Sequence, residues 1–165
     1  MKKQSLGGNS RSHQMDARRT FTVFGTTVAI KASSEETAGS YCVIETTFPP
    51  HYRMVLPHWH DKKSESFYVI DGALTFTLDD QTFIVQRGNF VLVPPQTVHV
   101  YWNSTASPVT FLTFSSPGGL EGYLAELAKV FDNRPYDADL AVEIATRYDQ
   151  FSPEEQDVAL STSLA

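Results

Sequence analysis

The sequence predicts an all-β fold, either a sandwich or a barrel, with a helical segment at its C-terminal end. Short segments rich in β-branched and aromatic residues follow one another from Thr20 to Ser115, and turn residues separate them. Helical spacing of apolar residues begins only after Phe114. A chain of 165 residues with 41% hydrophobic residues has room for one domain with a sizeable core. We expect a flexible N-terminal tail over residues 1–19, a barrel over 20–115, and helices over 116–165 that pack on the barrel.

The turn chemistry between the segments defines the predicted strands. Gly25 divides the first apolar stretch, and Asp71-Gly72 is a strong hairpin signal between two strand segments. Asp79-Asp80 joins the next pair in the same way. Close and regular spacing of this kind is typical of sandwiches and barrels. The predicted strand segments are the two halves of TFTVFGTTVAIK, then YCVIETTF, ESFYVI, ALTFTL, QTFIVQ, NFVLVP, HVYWN and VTFLTF.

The first predicted helix follows the last strand directly. Leu120, Leu124 and Leu127 share one helical face, which predicts an amphipathic helix that buries this face. Proline is well suited to the first turn of a helix, so Pro117 is expected there. Ser116 is then expected to cap the helix.

Two more helices are predicted beyond the first. Leu140, Ile144 and Tyr148 recur at intervals of four residues and predict a second amphipathic helix. The sequence SPEEQ reads as a capping box, with Ser152 as the cap and Glu155 reaching back, so it predicts a third short helix. We expect the helices to lie on the outside or at the mouth of the barrel.

Composition and charge exclude several functional classes. A net charge of −6 argues against a general nucleic-acid binder, which needs a basic face to neutralise phosphates. No segment approaches the roughly 18 apolar residues of a membrane span, and no apolar stretch follows the N-terminal lysines to make a signal peptide. The single cysteine, Cys42, excludes an internal disulfide and is expected to be a small core residue. We expect a cytoplasmic protein that binds neither nucleic acid nor membrane.

The candidate chemistry lies in the stretch LPHWHDKKSESFYVID. On a strand, His58 and His60 face the same way, while Glu65 lies five residues further and would face the opposite way. A turn or bulge in the polar DKKS segment would bring Glu65 back to the histidine side. Two imidazoles and a carboxylate in the interior cost several kcal/mol without partners, and a divalent metal ion removes that cost.

A third histidine extends this predicted metal site. His99 begins the strand that follows the turn at Pro94 and Pro95, and in a closed barrel that strand can neighbour His58 and His60. A set of three histidines and one glutamate suits one divalent transition metal, namely Fe, Mn, Ni, Co, Cu or Zn, without choosing among them. His51 is an odd number of residues from His58, so it would face the opposite side of a strand, and it is expected in a loop or at the surface.

Two sequence motifs resemble those of the cupin superfamily. The first is His-x-His, four residues, Glu, six residues, Gly, and it is matched here by His58, His60, Glu65 and Gly72. The second motif is matched by Gly88, Pro94, His99 and Asn103, with Gln96 in place of the internal glycine. We expect that substitution to change the turn, since glutamine enters positive φ less easily than glycine. The resemblance covers about residues 41–115.

This resemblance implies a cupin double-stranded β-helix, or jelly-roll barrel, with one metal ion held by His58, His60, Glu65 and His99. The C-terminal extension resembles that of small single-domain members related to bacterial quercetin 2,3-dioxygenases. That narrower resemblance implies a dioxygenase that cleaves a flavonol-like or other enolisable or phenolic molecule with O2, with Glu65 as both ligand and catalytic base. The expected substrate pocket is formed by side chains that would also suit the barrel core: Tyr41, Met54, Leu56, Phe67, Tyr101 and Phe114.

Other functions fit the same superfamily. A cupin isomerase or hydrolase, and a non-enzymatic protein that binds a metal or small ligand, remain alternatives, because a fold alone does not specify a reaction. The N-terminal segment TFTVFGTTVAIK supplies a strand that could dock on a second copy, so a homodimer is expected.

Overall fold

The structure is a computed structural model, and it describes residues 19–153. The tail expected over residues 1–19 therefore lies outside the described residues except for Arg19. The third predicted helix, with Glu155, also falls almost entirely beyond them.

Within the described residues the chain forms strands first and helices last, as the sequence predicts. The strands are β1 Thr20–Val23, β2 Thr26–Ala32, β3 Cys42–Phe48, β4 Ser64–Asp71, β5 Ala73–Leu78, β6 Gln81–Gln86, β7 Phe90–Val93, β8 His99–Trp102 and β9 Val109–Ser116. The helices are α1 Leu120–Phe131 and α2 Ala138–Arg147. Neither helix is long and apolar enough to cross a membrane.

The strands form two antiparallel sheets. The larger sheet has the order β1-β2-β3-β9-β4-β7, and the smaller has the order β6-β5-β8. Side chains alternate between buried and partly buried or exposed along β3 and β9, as expected for strands with one face toward a core. The predicted all-β barrel of the jelly-roll type, followed by helices, is confirmed.

The interior between the two sheets is filled mainly by aromatic and branched side chains. Phe67 and Phe111 from the larger sheet meet Phe76 from the smaller sheet, and all three are almost fully buried. Burial of such a side chain contributes about 1.5–3 kcal/mol each, so this cluster holds the two sheets together. Its other buried members are Phe48, Val69, Leu74, Val85, Val91, Val93 and Val109.

A second buried cluster joins the helices to the larger sheet. Leu120 and Leu127 of α1 and Ile144 of α2 pack against the inward face of β1, β2 and β3. Cys42 belongs to this cluster and is fully buried, as expected for a small core residue. The helices therefore cover one end of the barrel interior.

The start of α1 differs from the prediction. Strand β9 runs through Ser116, which pairs with Ser64 of β4, so the chain stays extended where a helix cap was expected. The helix begins at Leu120, with Gly119 at its N-cap position and no side-chain cap. Ser116 does not cap the helix, and Pro117 lies outside it, because sheet pairing extends the strand past this point.

The turn at Gln96 also differs from expectation. Gln96 has a φ of 61°, so it adopts the left-handed conformation that glycine favours. Its backbone N–H donates to the carbonyl oxygen of His60 at 2.6 Å, which joins this turn to the first motif. The substitution by glutamine therefore keeps the left-handed turn.

Candidate metal centre

An irregular segment carries the first two histidines. His58 forms an isolated antiparallel bridge with His99 at the start of β8, with N to O distances of 3.0 and 2.8 Å. The chain then bends at Asp61 and Lys62, and β4 begins at Ser64. The bend restarts the alternation of side chains, so Glu65 points inward like His60.

The four predicted ligands converge on one point. His58, His60, Glu65 and His99 are all buried, and one ligand atom from each lies within 4.8 Å of the others. Nε2 of His60 is 3.6 Å from Oε1 of Glu65, and Nε2 of His99 is 3.4 Å from Oε2. Ligands about 2.1 Å from a metal and at right angles are about 3 Å apart. The spacing therefore suits a single ion among the four side chains.

Backbone carbonyl groups set the tautomer of each histidine. Nδ1 lies 2.8 Å from the Leu56 carbonyl oxygen in His58 and 3.0 Å from that of Thr97 in His99. In His60 the partner is the carbonyl oxygen of Asp149, at 2.6 Å. A carbonyl oxygen can only accept, so each Nδ1 carries the proton. Each Nε2 is then left with a lone pair, as a metal ligand requires.

The inward atoms of the cluster are all acceptors. Nε2 of His60, Nε2 of His99 and Oε1 of Glu65 are buried and have no hydrogen-bond partner. Lone pairs that face one another without a donor are unfavourable in a buried site. A cation at the centre satisfies all of them, so these residues fit a metal ion.

The pKa values reflect the same arrangement. Burial, together with the neighbouring His99 and His60, lowers the pKa of His58 to about 3. Burial also lowers the pKa of His60, but the adjacent Glu65 carboxylate outweighs it and the net shift is upward. Burial raises the pKa of Glu65, yet His60 and His99 hold it well below its ordinary value. Glu65 is therefore a carboxylate at neutral pH, which is the form that binds a metal.

A cavity of about 300 Å³ opens from this centre toward the helices. His58 and Glu65 lie in its wall, so the cavity reaches the four-residue cluster. Its volume is at the lower end of the range for small-molecule sites, and such sites are mostly apolar. The rest of the wall is mainly apolar and comes from the strands, from the loop after β3 and from both helices. Its loop and helix residues include Tyr52, Met54, Val55, Leu56, Leu120, Tyr123, Leu124, Leu127, Val142 and Ala145.

Three of the six expected pocket residues lie in this wall. Met54, Leu56 and Tyr101 line the cavity. Phe67 faces inward but belongs to the core, where its ring packs 4.9 Å from that of Phe76.

Tyr41 and Phe114 do not line this cavity, and their expected role in a substrate pocket stays a prediction. Phe114 is 38% exposed, because the alternation of β9 turns Thr113 and Ser115 inward instead. Tyr41 is 46% exposed and precedes Cys42, the residue of β3 that faces the core.

The helical part of the wall was not predicted as part of the pocket. Tyr123 and Leu124 of α1 and Gln150 and Phe151 after α2 line the cavity. The apolar periodicity of the helices indicates a buried face, but it does not say which part of the barrel that face covers.

Two other residues near the first motif, His51 and Trp59, lie where the alternation of side chains along a strand predicts. His51 is exposed and stands apart from the cluster. Trp59 alternates away from the histidines, is 6% exposed, and packs its ring 4.9 Å from Phe151. It therefore covers the C-terminal segment of its own chain.

Comparison with known proteins places this part of the chain in a family. The Cupin_2 family model, described as a cupin domain, matches residues 44–115 and includes all four residues of the cluster. The chain is 35% identical over 72 residues to quercetin 2,3-dioxygenase of Bacillus subtilis (strain 168), covering 44% of this chain and 21% of that protein. It is 34% identical over 62 residues to an uncharacterised protein of Methanocaldococcus jannaschii, covering 38% of this chain and 50% of that protein. The chain thus spans at most half the length of these curated relatives.

A solved structure shares the fold at lower identity. KdgF from Halomonas sp. superposes with a TM-score of 0.54 and 18% identity, over 62% of this chain and 91% of that one. At this identity the likeness concerns the fold alone.

Proposed function

Because the chain is a small member of the cupin superfamily, we propose that it is a metal-dependent dioxygenase. Its substrate is a flavonol-like small molecule, or another enolisable or phenolic one, which it cleaves with O2. The segment it shares with a quercetin 2,3-dioxygenase supports this proposal.

One observation carries the proposal. Glu65 and His58 belong to the buried set of four candidate metal ligands, and both lie in the wall of a mainly apolar cavity. A ligand in the cavity therefore has direct access to the centre that these residues form. This combination suits a reaction on a small apolar molecule at a metal ion.

The bound metal would stabilise negative charge on a substrate oxygen and so make its hydroxyl group more acidic. Glu65 is the proposed base that accepts this proton, because it is ionised at neutral pH and reaches the cavity. Its Oε1 has no hydrogen-bond partner, so one oxygen is available for the proton. The other carboxylate oxygen, Oε2, stays near His99.

The cavity wall is suited to a flat ring with hydroxyl groups. Tyr101 lies nearly parallel to the His99 imidazole, with an interplanar angle of 9°. Thr46 and Thr113 bring hydroxyl groups to an otherwise mainly apolar wall. The helices cover this end of the barrel, so their packing limits the access of bulk water to the reacting groups.

Oxygen uptake with quercetin tests the proposal. Metal-free protein is loaded in turn with Fe, Mn, Ni, Co and Cu, and metal content is measured beside oxygen consumption. We expect uptake with at least one metal, and its loss in Glu65→Gln protein that still contains metal. No uptake with any of the five metals would remove the quercetinase assignment, and a panel of other phenolic substrates would then separate the remaining dioxygenase activities.

We also propose a homodimer in the cytoplasm. The outer face of the larger sheet carries exposed apolar side chains on adjacent strands, which supports association with a second copy. Tyr68 of β4 pairs with Phe90 of β7, and Leu92 lies two residues further along β7. Sedimentation equilibrium that returned only monomer would exclude the dimer.

A further inference from the structure

We propose that Asp149 is a positioning residue for the metal ligand His60, so that the segment after α2 forms part of the metal centre. Residues 148–152, the segment after α2, are called the C-terminal strap. The inference rests on the metal centre of the proposed function and concerns how this chain holds one of its ligands.

The three histidines are not held in the same way. His58 and His99 each donate from Nδ1 to a carbonyl group two residues earlier, at Leu56 and Thr97. Because these carbonyl groups lie only two residues away, the local backbone alone supplies the partners of His58 and His99. His60 instead donates to the carbonyl of Asp149, which is 89 residues away in the sequence. Its orientation therefore depends on the docking of the strap.

Asp149 contacts the ligand segment twice. Its carbonyl oxygen accepts the proton of His60 Nδ1 at 2.6 Å. Its carboxylate accepts backbone N–H groups from Asp61 at 3.2 Å, from Lys62 at 3.1 Å and from Lys63 at 3.1 Å. These three residues form the bend between His60 and Glu65. One side chain thus holds the turn that brings two metal ligands to the same point.

Neighbouring residues hold the strap in register on both sides of Asp149. Trp59 and Phe151 exchange backbone hydrogen bonds of 3.0 and 2.9 Å, and the Trp59 indole N–H donates to the Ser152 carbonyl at 2.9 Å. On the other side, the buried Lys63 ammonium group donates to the Tyr148 carbonyl. These contacts fix the position of the Asp149 carbonyl against His60.

The backbone of Asp149 is suited to this task. Its φ of 63° is the left-handed conformation, which aspartate, asparagine and glycine adopt more readily than other residues. In this conformation Asp149 contacts the segment from His60 to Lys63 through both its carbonyl and its carboxylate. Only aspartate combines tolerance of this φ with two short-range acceptor oxygens.

Cobalt binding by the full-length protein tests the inference. Co2+ alone is titrated into metal-free wild type, Asp149→Gly and Asp149→Asn, and both the dissociation constant and the visible absorption spectrum of bound Co2+ are recorded. Glycine keeps the left-handed φ but removes all three carboxylate contacts, so we expect Kd to rise about 10-fold or more, the range typical of partners that orient metal ligands. Asparagine keeps one acceptor oxygen, so we expect an intermediate rise and a spectrum closer to that of wild type.

Asp137→Ala is the matched control. The Asp137 side chain caps α2 by accepting from the Leu140 N–H at 3.1 Å, so its loss weakens the helix that precedes the strap without removing a contact to a metal ligand. We expect its Co2+ affinity and spectrum to match those of wild type. Equal weakening in Asp137→Ala, or wild-type affinity and spectrum in Asp149→Gly, overturns the inference. Should Asp149→Gly not fold, Asp149→Asn carries the same test. If wild type itself binds no Co2+ at these residues, the metal centre is wrong and the inference falls with it.

Discussion

Oε2 of Glu65 lies 3.4 Å from Nε2 of His99, and the two residues belong to opposite sheets of the barrel. Glu65 is in β4 of the larger sheet, and His99 begins β8 of the smaller one. A metal ion bound between them would join the two sheets directly. Metal binding at this centre should therefore be visible in the stability of the whole fold.

We predict that metal stabilises the wild-type protein against unfolding. At a free Co2+ concentration 100 times Kd, the gain in the free energy of unfolding should be about 2.7 kcal/mol, measured by urea denaturation with and without metal. His99→Ala should lose this gain, because a ligand is missing. His51→Asn should keep it, since His51 is an exposed histidine outside the cluster whose left-handed φ of 56° asparagine tolerates. A metal-dependent gain in His99→Ala would place the ion elsewhere.

We predict that Val142→Glu weakens ligand binding without changing metal affinity. Val142 lies on α2, is 49% exposed and lines the cavity, so a carboxylate there disfavours an apolar ligand at the rim. Quercetin binding, measured by equilibrium dialysis, should weaken about tenfold, comparable to other single changes in apolar pockets. Leu92→Glu is the control, because Leu92 is similarly exposed but does not line the cavity. Equal loss in both variants would show that the cavity is not the binding site.

We predict that Gly72→Ala destabilises the fold more than Gly88→Ala. Both glycines have a positive φ, 81° and 84°. A Cβ at Gly72 would lie 2.8 Å from the carbonyl oxygen of Pro108, whereas one at Gly88 would meet nothing within 4 Å. Gly88→Ala should cost about 1 kcal/mol from backbone strain alone, and Gly72→Ala more than about 2 kcal/mol. Urea denaturation of the two variants would measure this, and equal losses would contradict the close contact.

We predict that Glu36 makes the stability of the fold depend on pH in the acid range. Hydrogen bonds from the Ser33 backbone and from the Arg19 side chain lower the pKa of Glu36 from 4.5 to about 2. A lowered pKa in the folded state stabilises the fold above pH 4.5, and the gain is lost as the pH falls from 4.5 to about 2. Wild type should therefore be more stable than Glu36→Gln at pH 6, with the difference disappearing near pH 2. A pH-independent difference in urea denaturation would refute this.

The local sequence pattern was sufficient to predict the fold class and the cluster of four candidate metal ligands. The parity of His58 and His60 places them on one side, and the polar run before Glu65 requires the bend that the structure contains. These inferences hold because strand alternation and turn chemistry act over a few residues. Alternation alone does not settle the face of Phe114, because a shift of one position along β9 exchanges the buried and exposed sides, and the structure exposes Phe114.

The sequence by itself therefore determined the strands, the turns and the side chains that could bind a metal. Only the tertiary structure decided that Asp149 holds His60, that helices α1 and α2 close one end of the cavity, and that Tyr41 faces away from it. These features depend on contacts between residues far apart in the chain. Local conformational preferences do not encode which buried faces meet, because that is settled by the packing of the complete barrel and helices together.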